Sequence, residues 1–299
     1  MIRLSFKILV IMSILIVVAN AISYCIVKNN KLFREFISRK EPWSSYTYDA
    51  IERSKAPSNK IIALLGDSVA RQMLEDDKYE VLDLTTNMWV SMAGQFMLVN
   101  NLVKYQPQLK KICLLAIPES LAIDINTVGA YNYFIKPFYS DEYIPLMSSN
   151  TLDIIRSKPY YIMLNQPLSK VLPVFTIVNY NDVKQSVKGN EFLSPTSQYY
   201  ITKMQQVCDL ANVKLEIYPC PMSLTRYTIF TKEKFSDKLS HDLITPQLKA
   251  ALGNYYNNII IFDNKFFRED NLHRNGEHWP EVSTKIVNEY NLDKLAPYQ

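Results

Sequence analysis

The chain has 299 residues, 48% hydrophobic and 21% charged, enough for one sizeable globular core. Six glycines against 20 tyrosines exclude a collagen-like or low-complexity chain. Seven of the 33 basic residues but only one of the 29 acids fall within the first 40 positions, so the rest carries 26 basic against 28 acidic groups. The net charge of +4 therefore belongs to the N-terminal segment and gives no footprint for nucleic acid.

Ile8 to Val27 is an uncharged, apolar run bracketed by Lys7 and Lys28. As a helix it matches the thickness of a membrane's hydrocarbon core. Ala19-Asn20-Ala21 resembles a signal-peptidase site after the shorter run Ile8–Val18. The apolar run continues past that site, which favours an uncleaved anchor spanning residues 1–28. Lys and Arg are more numerous after the run than before it, which argues for a cytoplasmic domain. The short N-terminal tail and the signal-like pattern argue for export, and we favour an extracytoplasmic domain on a single-pass anchor.

Residues 29–58 are polar, broken by Glu41-Pro42 and Ala56-Pro57, and read as a membrane-proximal linker with some helix. A large domain follows over 59–299. Ile61–Leu65 is a short apolar run ending in Gly66, which predicts a buried strand. Ser68–Glu75 is helical in character and Tyr79–Leu84 is the second strand. Ser91–Tyr105 predicts a helix closed by Pro107, and Lys111–Ile117 a third strand stopped by Pro118. Residues 121–196 are irregular and rich in Tyr and Pro, with a short helix near Thr151–Arg156; they read as an insertion of the kind that often shapes a substrate site.

Beyond it come a helix at Ser197–Asn212, a strand at Val213–Tyr218, largely helical sequence over 225–254, a strand at Asn258–Phe262 and a last helix at Glu281–Leu295 entered through Pro280. Alternating apolar strands and helices predict a flavodoxin-like three-layer α/β/α sandwich with a mostly parallel five-stranded sheet. Chemistry in such folds gathers at the carboxyl ends of the strands.

Gly66-Asp67-Ser68-Val69 follows the first strand directly. Ser68 then stands where strand turns into helix, its N–H among unsatisfied helix-start donors. The plain alternative is that Asp67 or Ser68 only caps the helix. A serine nucleophile needs a base, and there are three histidines. His241 lies in a helical stretch and reads as a surface residue. His273 follows Asp270 at a spacing that brings a carboxylate beside an imidazole on a turn. His278, in Glu277-His278-Trp279, is the alternative base. The four cysteines have no CxxC or metal-ligand spacing and read as small buried apolar residues, and no motif implies a cofactor or metal.

GDS after the first strand and Asp-x-x-His before the last helix together resemble the SGNH (GDSL-type) hydrolases, over about residues 58–298. That resemblance implies Ser68 as nucleophile, His273 as base and Asp270 as its orienting acid. It implies oxyanion donors at the Ser68 N–H and at a glycine N–H after the second strand, a position that Gly94 suits. The family's third donor is an asparagine in Gly-x-Asn-Asp after the third strand, where this chain has Ile117-Pro118-Glu119-Ser120. Pro118 has no N–H, an ionised Glu119 would repel an oxyanion, and one lost donor typically costs about 100- to 1,000-fold in rate. Asn87, Gln95 or Ser120 would have to substitute.

The leading expectation is a serine esterase removing O-acyl groups from a cell-envelope glycan or small ester, with no cofactor and no nucleic-acid partner. An O-acyltransferase of envelope polysaccharide using the same serine, and a catalytically silent SGNH-like binding or assembly protein, are the alternatives. Tyr131-Asn132-Tyr133-Phe134, Tyr139 and Tyr143 are core aromatics or, less often, a sugar-stacking surface.

Overall fold

The computed structural model describes residues 2–72, 80–87, 90–126, 129–172, 192–271, 273–275, 279–290 and 292. Four apolar segments become parallel strands: β1 (Ile62–Gly66), β2 (Val81–Asp83), β3 (Lys111–Ala116) and β4 (Lys214–Pro219). They pair in the order β2-β1-β3-β4, with Gly66 opposite Leu115 and Cys113 opposite Glu216. Every residue of β1 and β3 is buried, as expected of central strands covered on both faces. β4 alternates buried with more exposed positions.

Among the described residues the α-helices are α1 (Ile2–Lys28), α2 (Asn30–Lys40), α3 (Pro42–Lys55), α4 (Ser68–Arg71), α5 (Ser91–Tyr105), α6 (Pro118–Ala122), α7 (Lys136–Phe138), α8 (Ser149–Arg156), α9 (Pro167–Val171), α10 (Pro195–Leu210), α11 (Leu224–Lys232), α12 (Phe235–Asp242), α13 (Pro246–Leu252) and α14 (Trp279–Glu289). Successive strand side chains point to opposite faces, so the strands divide their residues between two cores. Ala63, Leu65, Ile112, Leu114, Leu215 and Ile217 pack with residues of α5, α10 and α13. Ile62, Leu64, Cys113 and Leu115 pack with Val69 and Ala70 of α4 and with Val282, Ile286 and Val287 of α14. The fold is thus α/β, with helices on both sides of a parallel sheet.

The fifth expected strand does not join this sheet. Its strand portion, β6 (Ile261–Phe262), pairs in parallel with β5 (Met222–Ser223). Pro219 and Pro221 are the reason: a proline donates nothing to a ladder. The Cys220 N–H still reaches Ala116 O at 3.1 Å, and the Met222 N–H then turns to Ile260 O at 3.0 Å. The Tyr290 hydroxyl bridges the break, 2.7 Å from Pro219 O and 3.1 Å from Asn258 O.

The expected linker is largely helical and packed. α3 lies against α5, where Asn101 Nδ2 donates to Ser54 Oγ at 2.9 Å and to the Tyr143 hydroxyl at 2.8 Å. Gln106 Nε2 donates to the carbonyls of Ser54 and Ala56. The described residues of the expected insertion (121–126, 129–172 and 192–196) run largely through short helices and turns. Its aromatics Tyr131, Tyr133, Phe134, Tyr139 and Tyr143 are buried in the main core, so they form no sugar-stacking surface. Among the described residues one helix, α1, is long and apolar enough over Leu4–Lys28 to cross a membrane.

Candidate active site

Gly66 ends β1 at φ +153°, and a Cβ there would lie 2.3 Å from Ala70 Cβ and 2.7 Å from Leu115 O. Only glycine lets β1 run so close to both β3 and the turn that follows. That turn is α4, capped by Asp67, whose Oδ1 accepts from the N–H groups of Val69 (2.9 Å) and Ala70 (3.4 Å). Ser120 Oγ donates to the other carboxylate oxygen at 3.1 Å. Burial pushes the Asp67 carboxyl up, and these hydrogen bonds and His273 pull it partly back. Ser68 is half-buried between buried neighbours, so its hydroxyl is held in place yet reachable.

His273 comes to Ser68 across 205 residues of sequence, with Ser68 Oγ 3.1 Å from His273 Nε2. On the far side of the ring, Nδ1 is 2.7 Å from Asp270 Oδ2. The other Asp270 oxygen accepts the His273 backbone N–H at 2.9 Å, so one carboxylate holds both ring and backbone. A carboxylate at Nδ1 places the ring proton there and leaves Nε2 to accept from the serine hydroxyl. The loop is closed by an antiparallel bridge between Phe267 and Arg274 and by Arg268 N–H to His273 O at 2.7 Å and Asn275 N–H to Phe266 O at 2.7 Å. Asn271 takes the tip at φ 55°, a conformation asparagine tolerates. Phe267 is buried in the core between sheet and α14 and anchors the loop there.

The remaining expected residues fall elsewhere. Gly94 is buried within α5, where its N–H donates to Val90 O at 3.2 Å and lies 3.4 Å from Ser91 Oγ. That N–H is committed to the helix start and not to an oxyanion. Ser91 itself sits at φ 63°, a strain that its residue type does not announce. Asn87 follows Thr86, whose N–H and Oγ1 both donate to Gly66 O, so it lies at the carboxyl edge of the sheet. The Gln95 amide is fully buried with no hydrogen-bond partner among the described residues. Ser120 spends its hydroxyl proton on Asp67. His241 is exposed on α12, and His278 lies outside the described residues.

Sequence reasoning missed Arg226. It stands on α11, behind the Ser223 cap, and its Nη2 donates to Glu119 Oε1 while its guanidinium lies over the Phe230 ring. The charge feared at Glu119 is therefore paired. A partner 107 residues away leaves no local signal. Burial pushes the Cys113 and Cys208 thiols up to about 12, so these thiols stay protonated and are poor nucleophiles. Comparison with protein-family models, with curated proteins and with solved structures finds no match.

Proposed function

We propose that this protein is a serine ester hydrolase of the SGNH type, anchored in a membrane by α1. The Ser68–His273–Asp270 relay carries the reading: three groups in hydrogen-bonding contact, at the carboxyl edge of a parallel sheet, with polarity suited to taking a proton from serine. The parallel strand order β2-β1-β3-β4 with helices packed on both faces supports a flavodoxin-like sandwich as the underlying architecture. Packing of α1 against the domain, described below, supports an uncleaved anchor, and the signal-like pattern of the N-terminus supports an extracytoplasmic domain.

In this mechanism Ser68 Oγ attacks the ester carbonyl carbon and its proton passes to His273 Nε2. Asp270 holds the imidazolium that forms. Collapse of the tetrahedral intermediate breaks the ester C–O bond, and the departing alkoxide takes the proton from His273. Water, deprotonated by His273, then releases the acyl group as a carboxylic acid and restores Ser68. The Ser68 N–H, at the start of α4, and the side-chain amide of Asn87, at the carboxyl edge of the sheet, serve as the oxyanion donors. The substrate class is an O-acylated glycan or small ester. Transfer of the same acyl group to a sugar hydroxyl instead of water uses the same first step.

A silent, binding-only domain is the second reading. It is favoured by the committed Gly94 N–H and by Pro118 and paired Glu119 where a third donor is expected. Fluorophosphonate labelling of the full chain, with the modified peptide mapped by mass spectrometry, separates the two. Labelling at Ser68 that vanishes in Ser68→Ala and falls at least about 100-fold in His273→Ala is expected, since catalytic-residue loss has effects of this order or larger. A folded chain that takes no label at Ser68 sinks the esterase reading.

A further inference from the structure

The domain does not hang free below α1. A small third core joins the end of α1 to the body of the molecule: Phe33 and Ile37 of α2 and Val171 of α9 are buried together, with Ile26 and Val27 of α1, Tyr48 of α3 and Leu168 of α9 packed on them. On α1, Ala19, Asn20, Ser23, Ile26 and Val27 lose exposure, Ser23 almost entirely. Their three-and-four spacing marks one face of a helix. The deepest contact is polar: Leu168 donates its backbone N–H to Asn20 Oδ1 at 3.2 Å, while Asn20 Nδ2 donates to Ile16 O at 3.1 Å. Leu168 lies in the first turn of α9, where backbone N–H groups have no partner within the helix. Asn20, an amide side chain on a largely apolar helix, supplies one.

This bond sets a depth. Asn20 precedes Lys28 by eight residues, about 12 Å at 1.5 Å per residue. α9 therefore starts beside the apolar stretch of α1 and climbs back towards α2, where Val171 meets Phe33 and Ile37. The chain before it, Pro159–Met163, is a 3-10 helix leading into this low point. There Ile162 is 86% exposed and Met163 42%, and Leu172, just past α9, is 39% exposed. The rest of the segment is tied down. Lys170 Nζ donates to the carbonyls of Lys136 (2.6 Å) and Tyr139 (3.0 Å). Lys136 Nζ meets Glu41 at 3.0 Å and Leu172 O at 3.2 Å. These bonds fix α9 and Leu172 beside α1, and Ile162 and Met163 stand bare in the 3-10 turn that leads into α9.

We propose that residues 159–172 dip into the domain-side leaflet and that Ile162, Met163 and Leu172 contact lipid acyl chains, with Asn20 as the tether that holds the segment at that depth. The inference rests on α1 being a membrane anchor. It goes further by making the protein grip the bilayer at two places, which sets the height and tilt of the domain. Shallow insertion of this kind, about 5–10 Å into the acyl boundary, is what apolar groups beside a polar body achieve at a bilayer surface.

The test uses the full chain in phosphatidylethanolamine–phosphatidylglycerol vesicles, with Cys25→Ser as background. A nitroxide is placed at Ile162→Cys, and in a second sample at Ile14→Cys on the exposed face of α1. Collision with oxygen, which concentrates in lipid, is compared with collision with a water-soluble nickel complex. Oxygen dominating at both sites is the expected result, with the Ile162 label moving towards water when Asn20→Leu is added. Nickel dominating at 162 while oxygen dominates at 14 overturns the proposal and leaves the anchor standing. Nickel dominating at both overturns the anchor as well. Exclusion of both reagents from 162 marks a protein contact and also overturns it, and a 162 label that ignores Asn20→Leu overturns the tether.

Discussion

At Gly66 a single missing side chain decides whether the serine can be presented at all. β1 must end within van der Waals reach of Leu115 O and Ala70, and at φ +153° the backbone is one that L side chains rarely adopt. Gly66→Ala has to push β3 or α4 aside. We expect a loss of about 3 kcal/mol, the upper end of the overpacking range, measured as a shift of the urea midpoint. The Ser68–His273 distance changes with it, so the rate of fluorophosphonate labelling of the surviving folded fraction falls too. A variant as stable and as reactive as the parent would show that the turn relaxes freely. The residues of the candidate site were legible at this scale because each residue type has few roles. A glycine at a strand end, a serine after it and a histidine three residues past an aspartate narrowed the choice to a helix cap or a nucleophile, and to His273 or His278 as base. Ser91 at φ 63° and the commitment of the Gly94 N–H were not legible, since backbone dihedrals at non-glycine positions follow from packing.

Between elements, the join of α3 to α5 is the one that sequence inspection understated. A polar stretch with two prolines reads as linker, yet Ser44, Thr47 and Ser54 of α3 are buried. Short polar side chains can be buried when their hydroxyls bond to backbone, as Ser54 Oγ does to Ile51 O at 2.6 Å. Asn101, buried on α5, ties α3 to Tyr143 through its two amide hydrogens. Asn101→Ala removes both bonds. We expect it to lower stability by about 2 kcal/mol, roughly one for each buried hydrogen bond lost, and to raise amide exchange in α3 before the sheet. Unchanged exchange in α3 would mean that this helix is held by its apolar contacts alone. Arg71, whose guanidinium lies 4.0 Å from the Tyr46 ring centre, carries the same join to the turn that bears Ser68.

For the whole molecule, charge burial sets the response to acid. Lys111, at the start of the central strand β3, meets Glu216 of β4 at 2.5 Å and Tyr290 O at 2.7 Å, with little of either charged side chain exposed. Burial pushes the Glu216 carboxyl up, but hydrogen bonds from Lys111 and Lys214 outweigh it and hold it below the usual carboxylate range. The unfolded carboxyl then binds protons first as pH falls. Stability from this pair is complete above the unfolded value, about 4.3, and is lost as pH drops through the lower folded value. Glu216→Gln leaves the Lys111 ammonium buried without its anion. A cost of about 3 kcal/mol at neutral pH is expected, and urea midpoints taken from pH 7 to pH 3 should fall less steeply than in the parent. Parallel acid profiles would move the acid sensitivity to other carboxylates.

The amino-acid sequence by itself determined the apolar N-terminal helix, the four parallel strands and the identity of the groups at Ser68, Asp270 and His273. Each of these rests on local information: a run of apolar residues, a period, a short motif. Tertiary structure alone decided the rest. It brought Ser68 and His273 together, paired Glu119 with Arg226, turned β6 onto β5 past two prolines, and bonded Asn20 to α9. The physical reason is the same in each case. These contacts join groups far apart in the chain, and their partners are chosen by how elements pack in the three cores, which no window of sequence contains.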